Sequence, residues 1–320
     1  MDVIVSCICA FVVVSLILLK IYTKISMGWC NDEVDMSGKT VIITGGNAGI
    51  GKETARGLAK KNAKVILACR NMAKARVAAE DIIKTTGNNS VFVKHCDLAA
   101  LATVRSFCNE ILNTENRLDV LILNAGMVPS RGKHMTQDSL ELQFSSNHLG
   151  HFLMTNLLLQ LLKKSAPSRI VVVSSYLHHY GNVDFENLSF EKYTPDPLFT
   201  YCKSKLANIL FVKELTRRLQ NTQVTANALH PGLVKTDINK DCPWYTRRVL
   251  QPIAFRFAKT AEEGAQTSIF LSTSNKVQNV SGKYFVDCKE ANYSPKADDV
   301  ELCKKMWSVS KTMTSFKCSV

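Results

Sequence analysis

The 320-residue chain reads as a single doubly wound α/β domain on a central parallel sheet, preceded by an N-terminal transmembrane helix. Three observations predict this. Short runs that are apolar almost throughout alternate with longer amphipathic stretches, as parallel strands do when crossover helices cover both faces. A glycine-rich turn, TGGNAGIG, lies where the first such run meets the first such stretch. The chain also opens on an uncharged apolar run from Val3 to Leu19.

That opening run is extended past Lys20 by Ile21 and Tyr22, and about 20 residues suffice to cross a bilayer as a helix. The leader is Met-Asp, with no basic residue and no small-x-small cleavage site after the run. An uncleaved anchor over 1–24 is therefore favoured over a removed signal peptide. Lys20 and Lys24 flank its C-terminal end, which places the rest of the chain in the cytosol. Sequons at Asn88, Asn187, Asn279 and Asn292 offer a check, because glycan on any of them would reverse that orientation. A polar linker over 25–38 leads into the domain, 39–320.

Strands are expected at TVIITGG, AKVILACR, VFVKHCD, LDVLILNAG, RIVVVSS, VTANALHPG and GKYFVD. Between them, helices are expected over IGKETARGLAKKN, over Met72 to Thr86, from near Leu101, from near Gln137, through YCKSK, and over Ala261 to Leu271. Crossovers of this kind are right-handed, and a ligand belongs beyond the carboxyl ends of the strands.

In the first turn, Gly45, Gly49 and Gly51 supply a tight bend, close approach of backbone to phosphate and close helix–strand contact, with Asn47 and Ile50 between them. Strand before and helix after mark a dinucleotide site, and the missing GK[ST] disfavours a P-loop nucleotidase. At the tip of the second strand, where an acidic residue would hold the ribose hydroxyls of NAD, stands Arg70, with Lys52 nearby. Two cations suit a 2′-phosphate, so NADP(H) is the expected cofactor.

Tyr201 and Lys205 lie four apart in YCKSK and share one helical face. A free phenol titrates near pH 10, and an ammonium within about 4–6 Å would lower that value toward working range. Hydride transfer to a carbonyl creates an alkoxide that needs a proton and polar donors in place. Ser175, at the carboxyl end of the fifth strand, is such a donor from a separate segment. His178 and His179 read as a polar loop, and His148 and His151 as helix-face residues.

The net charge is +13, the pI near 9.2, and the composition 46% apolar and 21% charged. The basic residues are dispersed with no run of five or six, so nucleic acid is not an expected partner. Eleven cysteines form no CxxC pair and suit reduced thiols in a cytosolic setting. No metal-ligand spacing occurs, and no metal is expected.

TGGNAGIG, CDLA, LNAG, NHLGHF, VVVSS, YCKSK and HPGLVKTDI occur in the order found in the short-chain dehydrogenase/reductase family, and the chain resembles that family from Lys39 to about Asp287. Within it, the anchor, LACR, YCKSKLANILF, AEEGAQTS and SGKYFVDC make the chain similar to the membrane-anchored microsomal retinol dehydrogenases. The resemblance implies a Rossmann-type fold and assigns positions. Asp97, with Leu98 beside it, would contact adenine; Asn124 and Gly126 would line the cofactor. Asn147 would hold a water in a proton relay, and Ser175 would bond the substrate oxygen. Tyr201 would be the acid/base, Lys205 would bind the nicotinamide ribose and tune it, Pro231 and Gly232 would border the nicotinamide, and Thr236 would meet its carboxamide. Leu123 departs from the commoner NNAG, with only a packing change implied.

After HPGLVKTD, aromatic and basic residues mix from Trp244 to Lys259, a segment (about 233–258) expected to cover the substrate either as a greasy lid on anionic headgroups or as an ordinary amphipathic lid. The expected substrate is a lipophilic alcohol or its aldehyde or ketone, foremost retinol/retinal, at the cytosolic face of the endoplasmic reticulum membrane. Steroid, isoprenoid and long-chain lipid aldehydes are the alternatives, as is a non-catalytic NADP(H)-binding scaffold. Direction is not legible. Soluble relatives pair through long helices such as those after Gln137 and Leu198, which leaves a homodimer open.

Overall fold

A computed structural model describes residues 24–25, 27–128, 132–188, 192, 196–235 and 258–316. Strand β1 (Thr40–Thr44) is buried along its whole length, because its neighbours pair with it on both edges and helices cover both faces. Its side chains alternate accordingly: Ile42 joins the apolar cluster on one face, Val41 and Ile43 the cluster on the other. Helix α1 (Gly49–Ala59) returns the chain to β2 (Lys64–Cys69), α2 (Met72–Thr86) leads to β3 (Val91–His95), and α3 (Leu101–Thr114) to β4 (Val120–Leu123). Then come α4 (Gly150–Lys164), β5 (Ser168–Val173), α5 (Pro197–Arg218), β6 (Val224–His230), α6 (Ala261–Thr273), β7 (Tyr284–Val286), β8 (Lys289–Glu290) and α7 (Val300–Met313).

The sheet order is β3-β2-β1-β4-β5-β6-β7-β8. All pairs are parallel except β7–β8, an antiparallel edge hairpin that the all-parallel expectation did not include. Strand order reverses between β1 and β4, and that switch point opens the crevice where such sheets bind ligands. Helices α1, α2 and α6 cover one face; α3, α4, α5 and α7 cover the other.

The helix expected from Gln137 starts later. Ser139 adopts a left-handed φ of 57° inside a turn closed by Thr136 and Leu140. Glu141 then caps a short helical turn, Leu142–Phe144, accepting from Gln143 N at 2.8 Å and Phe144 N at 2.6 Å. A π-helical turn over Ser145–Leu149 carries the chain into α4. Such turns interrupt the regular ladder and often sit at functional sites.

Helix α7 closes the outer face of α4 and α5. Trp307 stacks on Phe211 at 5.7 Å and meets Phe152 edge-on at 4.9 Å, with Arg218 over its ring. The outward faces of α4 and α5 are thus covered in part by this chain's own last helix. The linker also packs down: Cys30 N donates to Gln266 Oε1 at 3.2 Å, and Lys24 pairs with Glu263. Among the described residues no helix is long and apolar enough to cross a membrane, and all of the anchor expected over 1–24 except Lys24 lies outside them.

Candidate functional site

The turn after β1 is built against the end of β4. Gly45 has a φ of +67°, and a side chain there would begin 3.1 Å from Ala125. At Gly51 a Cβ would lie 2.4 Å from both Gly45 O and Asn124 Nδ2, so only glycine lets α1 start here. Asn124 Nδ2 donates to Thr44 O at 2.9 Å and fastens β4 to β1. The residue before α1 is Ala48, which offers its first turn no side-chain cap. Uncapped amides beside a cradle of glycines (Asn47, Gly49 and Ile50 lie on the same bend) form an anion site, and these residues fit a dinucleotide phosphate.

Arg70 stands exposed at the end of β2. Lys52 is less available than the sequence implies, since its Nζ lies 2.7 Å from Asp81, which Arg56 also engages. Beyond β3, Asp97 Oδ1 accepts from Ala99 N at 3.0 Å, bracing its own turn. Leu98 turns its side chain into the core against the first residue of α4, with its Cβ 2.9 Å from where a Gly150 Cβ would stand. Gly126 follows at the switch point.

Helix α5 brings Tyr201 and Lys205 to the same crevice. Lys205 Nζ sits 5.5 Å from the centroid of the Tyr201 ring and donates to Val173 O at 2.9 Å. The Ser175 hydroxyl, from the turn after β5, accepts from Leu177 N at 3.3 Å and stands near enough to the Tyr201 phenol to lower its pKa. Asn147, on the π-turn, accepts at Oδ1 from Met127 N at 2.8 Å and donates to Ser204 Oγ at 3.1 Å. A side chain added at Gly126 would begin 3.4 Å from Lys205 Nζ and 3.6 Å from Asn147 Oδ1, so all three border one small space. Four sequence segments thus converge on a single point.

The electrostatics depart from expectation. Burial pushes the Tyr201 phenol up to about 12, against the pull of the Ser175 hydroxyl, and the lysine does not offset it. Burial likewise lowers Lys205 to about 8. Desolvation therefore outweighs the attraction that the i,i+4 spacing suggests, and Tyr201 holds its proton at neutral pH.

His148, His151 and His178 are not surface groups. His178 is fully buried, donates from Nδ1 to Ser175 O at 2.6 Å and accepts at Nε2 from Ser294 N at 3.0 Å. It therefore ties the Ser175 backbone to the segment before α7, a support that the run YLHHYG gives no hint of. His148 lies between Asn208 Oδ1 at 3.1 Å and Ser310 Oγ at 2.8 Å, and burial drops it to about 4. Pro231 and Gly232 close the crevice after β6; Gly232 has a φ of +91° and lies against Lys259. Thr236 and most of the expected lid lie outside the described residues. Tyr176, Tyr180, Leu198, Phe199 and Leu233 are exposed apolar side chains from three segments that flank Ser175, Tyr201 and Gly232.

A family model described as short chain dehydrogenase matches residues 39–244. Retinol dehydrogenase 14 of Mus musculus is 49% identical over 290 residues, covering 87% of this chain and 86% of its own. Retinol dehydrogenase 13 of Homo sapiens is 43% identical over 306 residues, covering 94% and 91%. Among solved structures, an uncharacterized protein from Mycobacterium Paratuberculosis superposes with a TM-score of 0.74 at 31% identity over 92% of this chain and all of its own. A short chain dehydrogenase from Escherichia coli CFT073 complexed with NADPH gives a TM-score of 0.65 at 23% identity over 80% and 99%, a likeness of fold alone.

Proposed function

The chain belongs to the short-chain dehydrogenase family and is an oxidoreductase acting on CH–OH groups, and from that premise we propose that it is an NADP(H)-dependent carbonyl reductase and alcohol dehydrogenase for retinal/retinol. The observation that carries the catalytic reading is Lys205 Nζ, 5.5 Å from the Tyr201 ring centroid and bordering Gly126 and Asn147 Oδ1, with the Ser175 hydroxyl near the phenol.

The cradle residues Gly45, Asn47, Gly49, Ile50 and Gly51 would hold the phosphates, with Arg70 at the 2′-position, Asp97 and Leu98 at adenine, and Asn124, Gly126, Pro231, Gly232 and Thr236 toward the nicotinamide. When bound, the nicotinamide supplies or accepts the hydride. Ser175 orients the substrate oxygen and polarises it. Tyr201, protonated by virtue of its burial, donates to that oxygen as negative charge develops. A proton held at this donor suits reduction directly; the reverse direction requires the phenolate, which the Lys205 ammonium would stabilise. Lys205, with a value of about 8, exchanges protons readily near neutral pH, and Asn147 Oδ1 shares its space by Gly126 as a stop for a relay water.

Exposed apolar side chains next in sequence to Ser175, Tyr201 and Gly232 favour a lipophilic substrate over a polar one. Relatives named retinol dehydrogenases matching nearly full length support retinal first; steroid, isoprenoid and long-chain aldehydes are the competing substrates. An anchor over 1–24 would hold the domain on the cytosolic face of the endoplasmic reticulum. A homodimer would need a face other than the one α7 covers. Full-length protein in microsomes, given all-trans-retinal, a steroid ketone and a long-chain aldehyde with NADPH or NADH, tests the reading. Retinal with NADPH should be the preferred pair, and Arg70→Asp should shift preference toward NADH. An unchanged cofactor ratio would reject the 2′-phosphate role of Arg70.

A further inference from the structure

We propose that His151 is a positioning residue, a neutral imidazole that locks the Asn147 carbonyl to the ends of β1 and β4 so that the proton-handling group and the dinucleotide cradle keep one register. Counting hydrogens and lone pairs fixes the direction of each bond in this chain of contacts. Thr44 Oγ1, at the end of β1, accepts from Asn124 N at 2.9 Å and from Ala125 N at 3.0 Å, which fills both its lone pairs. Its single proton has two candidates, His151 Nε2 at 2.9 Å and Ile122 O at 3.4 Å. The shorter contact takes it.

Nε2 is then an acceptor, and the ring proton belongs on Nδ1. That nitrogen faces Asn147 O at 3.3 Å, a carbonyl that can only accept. Each position in the chain Asn124/Ala125 N–H to Thr44 to His151 to Asn147 therefore has one assignable direction. The other lone pair of the Asn147 carbonyl accepts from Asn208 Nδ2 at 3.2 Å, so α5 holds the same atom from the opposite side. The ring is 2% exposed, and the ammonium of Lys205 lies close enough to oppose its protonation. Through its two partners, Thr44 and Asn147 O, the ring is tied to β1, to the end of β4 and to α5, and it touches no reacting atom.

In a π-turn the backbone bonds i→i+5 and not i→i+4, so its register is set by side-chain contacts such as these as much as by the regular ladder. Without His151 the Asn147 turn can shift relative to Gly126 and Lys205 while the fold stays intact. This inference deepens the reading of Asn147 as part of the relay, and its test separates the two. In full-length protein labelled at histidine ring nitrogens, NMR reads the tautomer without turnover. The expected result is a neutral Nδ1–H form for His151; an Nε2–H or doubly protonated ring overturns the proposal whether or not Asn147 is catalytic.

Kinetics supply the second arm. His151→Leu should lower kcat about tenfold, the order of one lost hydrogen bond in a positioned group, with KM for NADPH changed far less. Thr44→Val should do at least as much, and the double variant should be no worse than Thr44→Val alone, since both cut one chain. His151→Gln, which keeps a donor and an acceptor, should recover most of the loss. Multiplied losses in the double variant, or a melting-temperature drop with kcat intact, would make His151 mere packing.

Discussion

Replacing Lys205 with methionine should stabilise the protein while abolishing its activity. Lys205 is 2% exposed, and burial brings its ammonium from its ordinary 10.5 to about 8. That difference corresponds to about 3 kcal/mol of destabilisation carried at neutral pH. Against it stands the bond from Nζ to Val173 O, worth about 1 kcal/mol. Methionine fills a similar volume without charge, so the net gain at pH 7 is about 2 kcal/mol, or about 4 °C in Tm for a chain of this size. The sign has a pH signature. Below pH 8 the lysine is charged in both folded and unfolded chains, and the full penalty applies. Between 8 and 10.5 the folded chain sheds its proton first, and the penalty fades. Above 10.5 both forms are neutral, and only the lost hydrogen bond remains, so the advantage of the variant vanishes or reverses. Thermal melts of full-length wild type and Lys205→Met in detergent, from pH 6.5 to 10.5, measure this directly. A variant less stable than wild type at pH 7, or a Tm difference that does not change with pH, would refute the claim that this ammonium is held at a cost for its chemistry.

Two more outcomes follow from the same geometry. Gly51→Ala places a methyl 2.4 Å from a backbone oxygen and from Asn124 Nδ2, which should destabilise the protein by about 1–3 kcal/mol and raise KM for NADPH severalfold; wild-type melting and KM would contradict the cradle. For orientation, Asn187 is buried and Asn88 Nδ2 donates to both Ala59 O and Ala63 O, so only Asn279 and Asn292 present exposed sequons among the four. Glycosidase treatment of protein from mammalian microsomes should leave its mobility unchanged, and a shift would reverse the cytosolic assignment.

Much of this was legible because it rests on short-range rules. The strand–turn–helix around Gly45 to Gly51 needs glycine for steric reasons that hold in any context, and the i,i+4 pair in YCKSK follows from helical geometry alone. What escaped depends on depth. The rise of Tyr201, a partly buried side chain, reflects how far the packed crevice thins the water around its hydroxyl, a property of the packed molecule and not of spacing. His148, His151 and His178 look polar in sequence, yet each is buried because partners from distant segments satisfy its ring nitrogens. The late start of the helix after Gln137 turns on the left-handed backbone at Ser139, where no glycine announces it. Helix α7 does carry a periodic stripe, Cys303, Met306, Trp307 and Ser310, but two of its four members are small and weakly apolar, which hides the amphipathic signal.

The central claim is that Tyr201, held protonated by burial with Ser175 nearby, delivers the proton to the substrate oxygen. The rate of NADPH-dependent retinal reduction by full-length Tyr201→Phe, measured alongside its NADPH affinity, tests it most directly. Loss of about 10²-fold or more in kcat with affinity near wild type is the predicted result. Turnover equal to wild type in the phenylalanine variant would contradict it.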